Sequence, residues 1–109
     1  MDTTNGVQKA KLSTRHKKYL KGLGHHLAPV VLIGKEGLSA SLIEAIILEL
    51  DRHELIKVKI GNNSGVDKQD ASKILPDATK SDLVQLIGKT LLLYRKNPQR
   101  PKDERIILP

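Results

Sequence analysis

Apolar positions along this chain change their period several times, and each change marks an element. Leu12, Tyr19, Leu20, Leu23 and Leu27 recur at helical spacing behind Ser13, a good helix N-cap, so a first helix is predicted from near Ser13. Gly22, Gly24 and Pro29 end it. Val30, Val31, Leu32 and Ile33 are then apolar without interruption, which predicts a strand buried on both faces, as at the centre of a sheet. Beyond two glycines, Ser39 caps a second helix whose stripe of Leu42, Ile43, Ile46, Ile47 and Leu50 should be the most deeply packed. Residues 55–60 alternate, with Ile56, Val58 and Ile60 on one face and Lys57 and Lys59 on the other. A strand, helix and strand of this length imply parallel pairing through a right-handed crossover.

Gly61, Asn62, Asn63, Ser64 and Gly65 then read as a flexible loop, and a short helix from Asp67 to Leu75 should be ended or kinked by Pro76. Two further apolar runs, 83–87 and 91–95, flank Gly88, Lys89 and Thr90 and predict a hairpin. The tail from Lys96, with Pro98 and Pro101, reads as extended, and Ile106, Ile107 and Leu108 can add an edge strand. The expected fold class is α/β (α+β), in the order helix, strand, helix, strand, helix, hairpin. A flexible basic tail at 1–11 and an extended tail at 96–109 flank it.

At 109 residues the chain suffices for one domain with its own core. It has no cysteine, so disulfides and thiolate metal sites are excluded. No apolar stretch resembles a signal peptide or a membrane span, so a soluble, cytoplasmic protein is expected. The +7 net charge is uneven: residues 1–35 carry seven basic side chains against Asp2, residues 36–94 carry seven against nine acidic, and residues 95–109 carry five against two. A basic first segment of this kind is an electrostatic footprint for a polyanion, of which nucleic acid is the commonest. With no Phe or Trp and only Tyr19 and Tyr94, the chain cannot build an aromatic platform for bases. An RNA ligand would have to be held by its backbone.

Gly34, Lys35, Glu36 and Gly37 occupy the turn between the first strand and the second helix, where small residues and a helix N-terminus suit a phosphate. A G-x-x-G pattern also describes an ordinary turn. Likewise Arg15, Lys17, Lys18 and Lys21 can be only the solvated face of a helix, although the adjacent glycine loop favours contact. His25 and His26 suit either a phosphate or base contact or a helix cap. Lys57 and Lys59 fit the wet face of a strand, Lys89 the tip of a hairpin, and His53 a structural hydrogen bond. Arg95 joins the candidates if the hairpin end lies beside the glycine loop. The four histidines lack metal-ligand spacing. No Walker loop, dinucleotide fingerprint or nucleophile elbow is present, so no enzyme and no cofactor are expected. A protein-binding adaptor without RNA contact is the alternative.

Several local runs resemble one known family. They are Leu12-Ser13, Leu20-Lys21-Gly22-Leu23, His26, Pro29-Val30-Val31, residues 34–38, residues 53–59, Ile87-Gly88-Lys89-Thr90 and Leu93-Tyr94-Arg95, with Ile107-Leu108-Pro109 at the close. Together they resemble the CRM domain, named for chloroplast RNA splicing and ribosome maturation, in its stand-alone bacterial YhbY-like form, from about Leu12 to Arg95. That resemblance implies a four-stranded mixed sheet with three helices, similar to the C-terminal domain of bacterial translation initiation factor three. It also implies a G-x-x-G loop acting on RNA as that of KH domains does. The implied partner is ribosomal RNA in large-subunit precursors, bound by a monomer. The chain departs from the pattern at Pro76, which interrupts the third helix, and at Lys80, where a helix-ending glycine would be usual.

Overall fold

The computed structural model describes residues 12–109. The expected tail at 1–11 lies outside them. Three helices, α1 (Thr14–Gly24), α2 (Ala40–His53) and α3 (Lys68–Thr79), combine with four strands, β1 (Pro29–Ile33), β2 (Leu55–Ile60), β3 (Asp82–Ile87) and β4 (Thr90–Tyr94). They follow the predicted order. Both predicted caps form: Ser13 accepts a hydrogen bond from the His16 N–H and Ser39 from that of Leu42. No helix among the described residues is long and apolar enough to cross a membrane.

The strands form one mixed sheet in the order β1-β2-β4-β3, with β1 parallel to β2 and the other pairs antiparallel. Helices α2 and α3 cover one face, where Ile46, Leu50 and Leu75 meet Ile33, Ile56, Val58, Ile60, Leu91 and Leu93. Helix α1 and the C-terminal segment cover part of the other face, around Leu20, Leu55, Val84, Leu92 and Tyr94. The end of α1 sits directly on β4, because a Cβ on Gly24 would fall 2.8 Å from both Leu92 methyl carbons.

Three expectations are corrected. First, β1 is an edge strand and not a central one. Its Val31 and Ile33 point into the core, but Val30 and Leu32 point to the side that α1 leaves open, and Leu32 is 63% exposed. An uninterrupted apolar run cannot distinguish these cases. Second, Pro76 does not end α3, which continues to Thr79. Pro76 is buried, its carbonyl accepts from Ser81 N–H at 2.9 Å, and the helix stops at Lys80, whose left-handed backbone (φ 54) supplies the turn that glycine usually makes. Third, residues 106–108 add no strand. Ile106 and Leu108 instead pack into the second core cluster.

Glu54 holds that segment in place. It is fully buried in a left-handed turn (φ 65) between α2 and β2. Its carboxylate accepts from Asn97 N–H at 2.8 Å, Ile106 N–H at 2.8 Å and the Arg100 guanidinium at 3.0 Å. Tyr94 lies nearby, and burial, then the charges of Glu54 and Asp82, push its hydroxyl up to about 12. The unfolded chain releases that proton near pH 10 while the folded chain retains it, so stability is complete below pH 10 and falls as pH rises toward 12. Urea midpoints should therefore drop between pH 10 and 12 by the equivalent of about 2–3 kcal/mol. In Tyr94→Phe that drop should shrink markedly.

Candidate nucleic-acid interface

The loop after β1 closes through a hydrogen bond from Gly37 N–H to the Gly34 carbonyl at 3.0 Å. Gly37 lies at φ +66, which strains any side chain, so the fold itself asks for glycine there. Gly34 is different. A Cβ on it would meet nothing within 4 Å, so its smallness serves no contact within the described residues and leaves the backbone open to an approaching ligand.

The two residues between these glycines face opposite sides. Lys35 lines a concavity with Lys59, Gly61 and Asn62, on the sheet side of the loop. Glu36 lines another with Gly37, Ser39 and Ser41, at the start of α2. That second side suits an anion poorly, because it carries a carboxylate and the Ser39 hydroxyl already takes the Leu42 N–H at 3.2 Å. A phosphate reaching the loop is thus repelled on the helix side and attracted on the sheet side. The cationic side of the loop is thus the one lined by Lys35 and Lys59, and the α2 N-terminus lies on the side that carries Glu36.

Those neighbours come from β2 and α1. Lys57 and Lys59 project from β2 on the face that α1 only partly covers, and Lys57 lines a cleft with Lys21, His25 and Gln85. Lys17 lies one turn before Lys21 on the same flank of α1. Lys89, at the hairpin tip, donates to Asn62 Oδ1 at 3.2 Å beside the glycine loop. Neither concavity is lined by an acidic side chain. Among the described residues, ion pairs engage Arg52, His53, Arg95 and Arg100 but none of Lys17, Lys21, Lys35, Lys57, Lys59 or Lys89. Lys21 and Lys57 thus share one cleft and Lys35 and Lys59 another, with Lys17 one turn along α1 and Lys89 bonded to Asn62, a band of cations without ion pairs among the described residues.

Arg15, Lys18 and Arg95 fall outside the band, and His26 meets it through His25. Arg15 and Lys18 lie on the side of α1 opposite buried Leu20. His26 packs edge-on against His25, with ring centroids 5.1 Å apart. Arg95 follows β4, whose Tyr94 pairs with Leu55 at the start of β2, so it sits at the end of the sheet away from the glycine loop. There it approaches Asp51 at 3.9 Å. His53 Nε2 lies 3.4 Å from Glu49 Oε1, one turn back on α2, and half of its side chain stays exposed. No group of three His, Cys, Asp or Glu side chains among the described residues could hold a metal. Lys57, Lys59, Lys89 and Asn62 join the site beyond the residues first singled out. The period-2 alternation of β2 had already separated its lysines from its core residues, but only the position of α1 shows what that face adjoins.

Comparison with known proteins agrees with this architecture. A "Probable RNA-binding protein" of Pseudomonas aeruginosa is 40% identical over 92 residues, covering 84% of this chain and 88% of its own. An "RNA-binding protein" of Haemophilus influenzae is 43% identical over 88 residues, covering 81% and 89%. The solution structure of a hypothetical Staphylococcus aureus protein, described as a candidate RNA binder, superposes with a TM-score of 0.73 at 36% identity, over 91% of this chain and all of that one. The CRS1/YhbY (CRM) domain profile matches residues 12–95, the same span on which the glycine loop, the lysine strand and the hairpin are built. On sequence and fold alike, the chain belongs to the CRS1/YhbY (CRM) domain family.

Proposed function

We propose that this chain is an RNA-binding protein that holds the phosphate backbone on the lysine band, with the Gly34–Gly37 loop as its clamp. The observation that carries the reading is the band itself: six cations, free of ion pairs among the described residues, reach across α1, β2, the hairpin tip and a loop whose first glycine leaves open space where a Cβ would stand. The names of its relatives support the same ligand. The family resemblance extends the proposal to large ribosomal subunit precursors in the cytoplasm, bound by a monomer through a domain at residues 12–95. The role is binding and not catalysis.

Salt dependence tests it. With about four to six phosphates engaged, the logarithm of the association constant for single-stranded RNA should fall with that of salt at a slope of roughly −3 to −4. In a low-salt sucrose gradient the protein should travel with large-subunit precursors, and added salt should release it. A slope near zero, with protein at the top of the gradient under gentle conditions, would favour a protein adaptor instead.

A further inference from the structure

Beyond the end of β1 a concavity of about 420 Å³ opens between the glycine loop and the loop at 61–65. It contains more than cations. Leu32 lies along one wall, 63% exposed, beside its register partner Lys59 on β2. An aliphatic side chain in this position adds little to the core, yet it offers a flat apolar surface between Lys35 and Lys59.

The opposite wall is polar. Ser64 is committed to its own loop, donating to the Gly61 carbonyl at 2.8 Å and accepting from Val66 N–H at 3.2 Å. Asn62 is committed on one side only. Because the Lys89 ammonium can only donate, it faces Asn62 Oδ1, and the amide nitrogen is turned away with no partner among the described residues. Asn63 is exposed, and its side-chain amide has no partner among the described residues either.

Two cations, an apolar surface and two available amides match the three recognisable parts of a nucleotide: its phosphate, its base face and its base edge. We propose that this concavity receives one unpaired nucleotide of the bound RNA. The phosphate lies on Lys35 and Lys59, the base packs on Leu32, and Asn62 and Asn63 hydrogen-bond its edge. The inference rests on the RNA-binding reading above and adds a preference to it. A paired base buries its face in the stack, so this site selects single strands or bulges over continuous duplex.

Fluorescence anisotropy can separate the two levels, using a single-stranded RNA of about eight nucleotides, its abasic counterpart and a blunt RNA hairpin. Leu32→Ala should weaken binding of the natural single strand about tenfold, with hairpin binding and the melting temperature unchanged. Removing the bases should weaken wild type more than tenfold, since the Asn62 and Asn63 contacts go as well, and should weaken the variant about tenfold less than it weakens wild type. Asn63→Ala should cost about threefold on the natural strand and nothing on the abasic one. Unchanged single-strand affinity in Leu32→Ala, or an equal loss on the hairpin, overturns the nucleotide site while leaving backbone binding intact. Wild-type protein that binds neither RNA overturns the parent reading, and this site with it.

Discussion

Glu54→Ala should lower the thermal midpoint by about 12–20 °C, the equivalent of about 3–5 kcal/mol for removing one partner of a buried charge network. The fully buried carboxylate joins α2 and β2 to the C-terminal segment through Asn97, Arg100 and Ile106. Its loss leaves two backbone N–H groups unmatched and a guanidinium without its counter-charge, although Arg100 retains a distant contact with Glu104 at 3.9 Å. Ile106 and Leu108 would then separate from the second core cluster. Glu54→Gln should be milder, because the amide oxygen can still accept a hydrogen bond while the charge on Arg100 goes unanswered. Calorimetry checks the midpoint, and amide exchange checks the mechanism: protection at Asn97 and Ile106 should fall first. If both variants melt with wild type, Glu54 does not hold the segment.

Most of the fold was legible because its signals are local. Ser13 and Ser39 announce helix starts through side chains that reach only three residues ahead, and both do so in the structure. The alternation of residues 55–60 separated core from solvent within one strand. Glu54 gave no such signal. Its partners lie 43 to 52 residues away, and an acidic residue after His53 looks like any polar junction. For the same reason the closing Ile106 and Leu108 suggested a strand, since their apolarity shows that they are buried but not against what. The exposure of Leu32 was equally hidden, because strand order decides which of four consecutive apolar residues is left uncovered.

The candidate site was legible in part for a related reason. Helical spacing puts Lys17 and Lys21 on one flank, and the glycine loop is visible as a motif. Which side of that loop is attractive depends on where Lys35 and Glu36 are directed, and on Lys59 arriving from a strand some two dozen residues later. Arg95 illustrates the reverse case, a basic residue close in sequence to the hairpin but far along the sheet from its tip.

Reversing Lys35 and Lys59 together should therefore have a far larger effect than the same change elsewhere. Lys35→Glu with Lys59→Glu replaces two facing cations by two anions in a concavity lined by no other charge, so a phosphate there meets repulsion where it met attraction. RNA affinity should fall by about a hundredfold or more at low salt, from two lost charge-assisted contacts. The salt slope should become shallower by about 1.4, the share of two phosphates on a single strand. Both side chains are exposed, so the melting temperature should stay close to that of wild type. The decisive control is Lys73→Glu with Lys80→Glu, two exposed lysines of α3 and its cap, carried on the opposite face of the sheet. It gives the same net charge. Filter binding across a salt series should show that control within about threefold of wild type, because its charges act only through the screened long-range field. Equal losses in the two double variants would mean that the chain attracts RNA by overall charge and that the band across α1, β2 and the glycine loop is not a site.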